Sequence, residues 1–239
     1  MSEIALIIPC YNEQNRLSPD IFLQFLLAHP ELHFFFVNDG SSDNTLELLN
    51  VIKNKLPGRV TIIHLNQNLG KGNAIRSGIL AASNNTTYSY FGYLDADLST
   101  SLEELLRLFE ILKNKNANLV AGSRIKMHNA RIERSAFRHA VGRVIATIID
   151  SKYRLEIYDT QCGAKCFNRN VLDIFKDRFH TRWFFDIEMF LRLRQNFSNA
   201  LLIEEPLNYW SDPAGSRLSV FSFPLVAKEI ISLFTHYRK

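Results

Sequence analysis

The sequence predicts an α/β fold in which helices flank a mostly parallel central sheet. Short apolar runs of strand length alternate with longer segments of helical periodicity, which is typical of right-handed strand–helix–strand units. The runs are apolar on both faces, as in strands that helices cover on either side. Polar clusters follow these runs, as expected where parallel strands end at one ligand-binding edge.

Five apolar runs are predicted strands, at residues 4–9, 33–38, 60–65, 88–94 and 118–122. Three helices are predicted between them. Ser18 and Pro19 are typical of an N-cap followed by a first-turn proline, and Ser101 with Glu104 forms a capping box. The third helix is indicated by apolar residues at three- and four-residue spacing, namely Leu46, Leu49, Ile52 and Leu56.

From about residue 124 this alternation is lost. A basic segment is followed by a single predicted strand at 200–210 and an amphipathic C-terminal segment at 221–239. That last segment suits interfacial membrane binding or a closing helix packed on the sheet, and we favour the closing helix. Because no repeat or linker separates the halves, we expect a single domain over 1–239, divided functionally into 1–123 and 124–239.

The amino-acid composition narrows the classes of function open to this protein. The 239 residues are 46% hydrophobic and 22% charged, which is ordinary for a globular protein. A net charge of +4 is too small to require nucleic acid, and it is compatible with phosphorylated ligands or an anionic membrane. Cys10, Cys162 and Cys166 show neither zinc spacing nor a disulfide framework. With no signal peptide or apolar span, we expect a cytoplasmic protein, at most resting on the inner face of a membrane.

Asp95 and Asp97 follow the apolar run 88–94. Side chains two residues apart in an extended segment point the same way, so the two carboxylates repel unless a cation lies between them. Mg²⁺ or Mn²⁺ binds one or two carboxylates and completes its shell with substrate phosphates. We therefore predict a metal–diphosphate site here. The alternative, a cap for the following helix, explains one carboxylate but not both.

Two other strand ends carry candidate ligand-binding residues. Asp39 could accept hydrogen bonds from a base or a ribose, or it could be an Asx-turn aspartate. Lys71 lies between glycines that let the backbone approach a phosphate, although this motif by itself favours a solvated surface lysine. The spacing around Lys71 fits neither a Rossmann fingerprint nor a P-loop.

Motifs spanning nearly the whole chain carry a family resemblance. They are "IIPCYNE", "VNDGSSDNT", "NLGKGNAIRSG", "DADLST", "DTQCGAKCF" and "RWFFDIE". With them the chain resembles the family-2 glycosyltransferases of GT-A fold, most closely the dolichyl-phosphate β-glucosyltransferases and other polyprenyl-phosphate glycosyltransferases. The resemblance implies the GT-A nucleotide-diphospho-sugar transferase fold, with 1–123 binding the nucleotide sugar and 124–239 on the acceptor side.

The implied activity is transfer of a hexose, with inversion, from a nucleotide sugar to a polyprenyl or dolichyl phosphate. UDP-glucose is the favoured donor and GDP-mannose the alternative. A saccharide hydroxyl is the alternative acceptor, as in surface-polysaccharide or glycolipid synthesis. A sugar-phosphate nucleotidyltransferase is disfavoured because no Gly-rich basic signature follows the first strand.

The resemblance also implies residue roles. Donor-binding positions, with Lys71 added from its own motif, are Pro9, Tyr11, Glu13, Val37, Asp39, Lys71, Asp95, Ala96, Arg124 and Arg217. Asp95 and Asp97 would hold Mg²⁺ or Mn²⁺, and Arg217 would close over the diphosphate as a catalytic residue. Arg134, Ser135 and Arg138 would bind the acceptor phosphate.

Two features of the second half concern the acceptor. A basic segment suits an anionic acceptor, and Asp186 leaves the nature of the acceptor open. Six cations between Arg124 and Arg143 face Glu133 alone, although such runs are often solvated helix faces. Asp186 is the candidate catalytic residue there, as a general base or as a group that orients the acceptor. Its alternative is a helix N-cap, because a helical apolar pattern follows it.

Overall fold

The computed structural model describes residues 3–128, 130–133, 136–211 and 223–237. The strands are β1 (Ile4–Cys10), β2 (Leu32–Asp39), β3 (Val60–Leu65), β4 (Tyr90–Leu94), β5 (Leu119–Ser123), β6 (Arg131–Glu133), β7 (Ala164–Asn168), β8 (Leu202–Pro206) and β9 (Tyr209–Ser211). The helices are α1 (Pro19–Ala28), α2 (Thr45–Lys55), α3 (Lys71–Ser83), α4 (Leu102–Asn114), α5 (Ala136–Tyr153), α6 (Phe185–Asn196) and α7 (Phe223–His236), with a 3₁₀ helix at Arg169–Phe175. All five predicted strands are confirmed.

Seven strands form one sheet in the order β3-β2-β1-β4-β7-β5-β8. β7 runs antiparallel to β4 and β5, and the other neighbouring strands are parallel. The predicted fold class, a mostly parallel sheet flanked by helices, is confirmed. Because β7 comes from the second half of the chain and lies between β4 and β5, the two halves build the same sheet.

The predicted single strand at 200–210 is wrong. It divides into β8, which pairs with β5, and β9, which pairs with β6 in a separate two-stranded sheet. The break lies at Leu207 and Asn208. At this break the backbone N–H of Asn208 donates to the Glu104 carboxylate at 2.9 Å.

Strand β2 shows why helices cover both faces of the sheet. Phe34 and Phe36 point to one face, where both rings make edge-to-face contacts with Phe22 of α1. Phe35 and Val37 point to the other face, in a cluster with α3 and α6. Burying side chains of this size contributes roughly 2 kcal/mol each, so this strand anchors two hydrophobic layers.

The helix starts follow the sequence signals closely. Ser18 is the N-cap of α1 with Pro19 in its first turn, as predicted. In α4 the Ser101 hydroxyl accepts from the Glu104 N–H at 3.2 Å, which confirms the predicted cap. The Glu104 carboxylate does not complete a capping box with Ser101. It accepts from Arg107 and Asn208 instead.

A third cluster joins α5, α6 and α7, where Leu233 of α7 and Tyr237, just after that helix, are buried with Ile149 and Tyr153 of α5. The Tyr153 hydroxyl donates to the Leu233 carbonyl at 2.9 Å. The C-terminal segment is thus a closing helix, as favoured, but it packs on helices α5 and α6 rather than on the sheet. No helix in the described ranges combines the length and apolar character needed to cross a bilayer.

Candidate active site

The carboxyl ends of β1, β2 and β4 meet at one edge of the sheet, because these strands are parallel neighbours. The loops after β1 and β2 are joined by hydrogen bonds: the Asn12 N–H donates to the Ser41 hydroxyl at 3.1 Å, and the Glu13 N–H donates to the Thr45 hydroxyl at 2.7 Å. The polar clusters after β1 and β2 therefore lie together, as predicted, and hydrogen bonds join them into one rim at this edge of the sheet.

Lys71, the first residue of α3, lies beside Asp95 at the end of β4. Its Nζ is 2.5 Å from Oδ1 of Asp95, and both side chains are about one-third exposed. The interpretation of Lys71 as a solvated surface lysine is wrong. Burial raises the pKa of Asp95, the Lys71 charge lowers it and the Asp97 charge raises it, with a raised pKa as the result.

Gly163, just before β7, packs directly against Asp95. The Asp95 N–H donates to the Gly163 carbonyl at 3.2 Å. A Cβ at position 163 would lie 2.1 Å from Oδ2 of Asp95, so this position has room only for glycine. The "DTQCG" segment therefore supports the first acidic residue of the site.

Asp97 has a different environment. Its Oδ1 accepts from the Ser99 N–H at 3.1 Å and the Ser99 hydroxyl at 2.7 Å, while Oδ2 is 3.8 Å from a guanidinium nitrogen of Arg16. Arg16 also makes a bidentate pair with Glu13, at 2.6 and 2.7 Å. Asp97 does not cap α4, because Ser101 does. Arg16 was not among the predicted site residues.

These carboxylates fit a hard divalent cation only if a ligand supplies further oxygens. Within the described ranges, no group of three or more His, Cys, Asp or Glu side chains could hold a metal ion. Mg²⁺ and Mn²⁺ sites that use one or two carboxylates take substrate phosphates for the rest of their shell. Asp95 and Asp97 are suited to that kind of site, with oxygen ligands at the open edge of the sheet.

Asp39 is buried, and its carboxylate accepts from the backbone N–H groups of Leu69 and Gly70 at 2.7 and 3.0 Å. It thereby fastens the loop before α3 to the end of β2. Burial raises its pKa, although these two hydrogen bonds lower it in part. The Asx-turn interpretation is wrong for Asp39, since it is the neighbouring Asn38 whose side chain accepts from the Ser41 N–H.

Four other predicted donor-binding residues differ in whether they reach the open surface of the site. Pro9 and Tyr11 are partly exposed at the end of β1. Val37 and Ala96 are buried in hydrophobic clusters on opposite faces of the sheet, so the structure does not bring them to the open surface of the site.

Arg124, after β5, is held by Asp159. Two guanidinium nitrogens bind the carboxylate at 2.7 and 2.8 Å, and the Arg124 N–H donates to it as well. Burial lowers the pKa of Arg124, but the charge and hydrogen bonds of Asp159 raise it overall. Arg134, Ser135 and Arg217 lie outside the described residues. Arg138 lies in α5, and its side chain is also outside the described part.

Asp186 belongs to a buried network rather than a helix cap. Phe184 occupies the N-cap of α6, and Asp186 is inside the first turn, so the N-cap interpretation is wrong. Its carboxylate accepts from the Tyr93 hydroxyl and from Nζ of Lys165, the latter at 2.7 Å. Sequence reasoning missed Lys165, although a lysine within the apolar run of "GAKCF" is a signal of a buried charge.

The three cysteines are free and buried. Burial raises the pKa of Cys162 to about 11, so this thiol stays protonated at neutral pH. Trp183 is half-buried, whereas Phe184 and Phe185 are in the core, as expected for residues that pack rather than react.

The chain matches the family model described as "Glycosyl transferase family 2" over residues 5–175. It is 31% identical to the dolichyl-phosphate beta-glucosyltransferase of Dictyostelium discoideum, an alignment covering 98% of this chain and 74% of that protein. The protein of the same name from Drosophila melanogaster is 30% identical, with coverage of 98% and 75%.

Solved structures show the same fold. Glucosyl-3-phosphoglycerate synthase from Mycobacterium tuberculosis, in complex with Mn²⁺, uridine diphosphate and glucosyl-3-phosphoglycerate, superposes with a TM-score of 0.71 at 13% identity. The superposition covers 97% of this chain and 78% of that one, which confirms the GT-A fold. By family model, sequence relatives and fold together, the chain belongs to glycosyl transferase family 2.

Proposed function

We propose that the protein transfers glucose, with inversion, from UDP-glucose to a dolichyl or other polyprenyl phosphate, using Mg²⁺ or Mn²⁺. One observation carries the proposal: Asp95 and Asp97 lie at the open edge of the sheet beside Lys71 and Arg16. The relatives named dolichyl-phosphate beta-glucosyltransferase support glucose and a lipid phosphate. The solved neighbour with Mn²⁺ and uridine diphosphate supports the metal and the nucleotide.

The charges of this edge suit a diphosphate leaving group. Asp95 and Asp97 would hold the metal, which supplies positive charge to the departing diphosphate when bound. Lys71 and Arg16 add cations next to the same two carboxylates. Glu13, paired with Arg16, keeps that guanidinium at the rim. In this proposal Arg217 adds a further cation over the diphosphate.

An acceptor phosphate requires little proton chemistry. One of its oxygens attacks the anomeric carbon on the face opposite the bond to the donor diphosphate, and that bond breaks to release the nucleotide. The phosphate is already largely ionised at neutral pH, so no general base has to remove a proton. Arg134, Ser135 and Arg138 are the proposed partners of the acceptor phosphate.

The environment of Asp186 favours this acceptor over a saccharide hydroxyl. A hydroxyl acceptor needs a base within hydrogen-bond reach. Asp186 is 3% exposed, and its carboxylate already accepts hydrogen bonds from Tyr93 and Lys165. That position suits an orienting group better than a base.

A lipid acceptor implies work at a membrane surface. Val144 and Ile148 of α5 and Leu225 and Ile231 of α7 are exposed apolar side chains on two helices that pack together. Exposed Lys228 lies on α7 as well. Apolar side chains with nearby cations suit peripheral binding to anionic lipid, and we assign these two helices to the membrane-facing side.

The test is a donor panel against a short polyprenyl phosphate, with radiolabelled sugar followed into the organic phase. Transfer from UDP-glucose, lost in Asp95→Asn and retained in the matched exposed variant Asp20→Asn, supports the proposal. Label moving only to water-soluble saccharides contradicts the acceptor assignment. Label moving only from GDP-mannose contradicts the donor assignment.

A further inference from the structure

Lys165 is a fully buried cation on β7, with 0% exposure. Its Nζ donates to the Thr160 carbonyl at 3.1 Å, the Cys162 carbonyl at 2.7 Å and Oδ1 of Asp186 at 2.7 Å. A buried charge is costly unless it is paired and hydrogen-bonded. Here three acceptors satisfy the three N–H donors of the ammonium.

Two of these acceptors belong to the turn that supports Asp95. Cys162 immediately precedes Gly163 and Thr160 lies three positions before it, and the Gly163 carbonyl accepts from the Asp95 N–H at 3.2 Å. The backbone of Gly163 also lies so close to the Asp95 carboxylate that no side-chain atom would fit between them. The ammonium therefore fixes the backbone against which Asp95 rests.

The third acceptor connects the same ammonium to two other elements. Asp186 lies on α6, and its carboxylate also accepts from the Tyr93 hydroxyl of β4. Tyr93 is two residues before Asp95, so one network holds β4, the turn before β7 and α6 together. Burial, followed by the charge of Asp186, raises the pKa of Tyr93 well above its usual value, which keeps its hydroxyl as a donor.

We propose that Lys165 is a positioning residue, which presents the Asp95 carboxylate to the donor's metal and diphosphate by holding the turn 160–163. The inference rests on the proposed function, because that function defines the task of Asp95. Lys165 touches neither substrate nor metal in this role. It acts through two backbone carbonyls and Gly163.

A purely structural role is the competing explanation, since a buried ion pair can often be replaced by neutral residues. The chain offers a matched control. Arg192 of α6 is also a buried cation, paired with Glu188 at 3.5 Å and bound to the carbonyls of Ile174 and Asp177. Those carbonyls lie in a different segment, away from Asp95.

Two variants and two controls separate the explanations. Lys165→Met removes the ammonium, and the double variant Lys165→Met/Asp186→Asn removes it without leaving an unpaired buried charge. Arg192→Met and Arg192→Met/Glu188→Gln are the matched controls. The measurements are amide hydrogen exchange at Asp95, which needs no substrate, and affinity for Mn²⁺ with uridine diphosphate, followed by the electron paramagnetic resonance signal of free Mn²⁺.

The Asp95 amide should exchange faster in both Lys165 variants, and both variants should bind Mn²⁺ about tenfold or more weakly. The Arg192 variants should keep the wild-type exchange rate and the wild-type Mn²⁺ affinity. If the double Lys165 variant recovers wild-type exchange and affinity, Lys165 only neutralises Asp186 and the proposal is wrong. Equal effects in the Arg192 variants overturn it too. If the wild-type protein binds no Mn²⁺ with uridine diphosphate, the proposed donor is wrong, and the exchange of Asp95 still decides the role of Lys165.

Discussion

The ammonium of Lys71 lies 2.5 Å from Oδ1 of Asp95, which joins the start of α3 to the end of β4 across the edge of the sheet. Burial and the charge of Asp97 raise the pKa of Asp95, and Lys71 opposes them. A carboxylate binds a metal only when it is ionised, so the lysine favours metal binding by keeping Asp95 charged.

Lys71→Met should therefore raise the pKa of Asp95 further. Protons would then compete with Mn²⁺ at higher pH, and the pH of half-maximal Mn²⁺ affinity should shift upward in Mn²⁺ titrations repeated across a range of pH. Activity at neutral pH should fall about 100-fold. Lys55→Met, which removes an exposed cation at the end of α2, is the control. An unchanged or lower pH of half-maximal Mn²⁺ affinity in Lys71→Met would contradict this prediction.

Gly163→Ala should weaken Mn²⁺ binding without unfolding the protein. The added Cβ would lie 2.1 Å from Oδ2 of Asp95, so either the turn or the carboxylate must move. We expect about tenfold weaker affinity for Mn²⁺ with uridine diphosphate. Gly58→Ala adds the same atom where no other atom lies within 4 Å, and it should behave as wild type. Wild-type affinity in both variants would exclude the contact as a determinant of the site.

Asp186→Asn should lower stability and donor affinity together. The change leaves the Lys165 ammonium buried without its carboxylate, which costs about 3 kcal/mol when a buried pair is broken. Urea denaturation and Mn²⁺ titration measure the two effects. Severe loss of turnover with intact donor binding would instead identify Asp186 as a general base, and with it a hydroxyl acceptor.

His33 should contribute a pH dependence to stability. Its pKa is lowered to about 4, by burial first and then by the Arg59 charge. The folded state therefore favours the neutral ring, and the stability it contributes is present above pH 6.5 and is lost as the pH falls toward 4.

His33→Gln should flatten the fall in unfolding free energy over that window, and the effect should amount to about 1–2 kcal/mol once solvent exposure of the ring is allowed for. The exposed residue His128 provides the control variant, His128→Gln, which should keep the wild-type slope. The same slope in both variants would show that His33 does not titrate in this range.

Leu225→Ser/Ile231→Ser should reduce binding to anionic vesicles. Both side chains are more than 60% exposed on α7, so their removal costs little stability while it removes apolar surface from the proposed membrane face. Vesicle flotation measures the binding. Leu27→Ser, which changes a 69% exposed leucine on α1, is the control. Equal flotation of the wild-type and double-variant proteins would place the membrane face elsewhere.

The strand ends of the first half could be predicted because the information is local. Each apolar run stops where a polar cluster begins, and parallel strands bring those clusters to one edge. Asp95 and Asp97 were predicted as a pair from their spacing and their place after β4. Lys71 was placed at the donor site from its glycine neighbours, but its partner Asp95 is 24 positions away and could not be read from them.

The features that the sequence did not predict depend on contacts between segments that are far apart in the chain. Asp186 precedes a helical pattern, which resembles an N-cap, but a buried lysine on β7 and a tyrosine on β4 determine its position. At the break between β8 and β9, Asn208 donates a hydrogen bond to Glu104, which lies about one hundred residues earlier in the chain. Arg16 became a candidate only when folding brought it to Glu13 and Asp97.

The most direct measurement is a crystal structure of the protein with Mn²⁺ and UDP-glucose. We expect the metal at coordination distance from Asp97, Asp95 or both, with its remaining ligands including oxygens of the donor diphosphate. A diphosphate bound elsewhere, or a metal that contacts neither carboxylate while the enzyme turns over, would contradict the assignment of this edge as the active site.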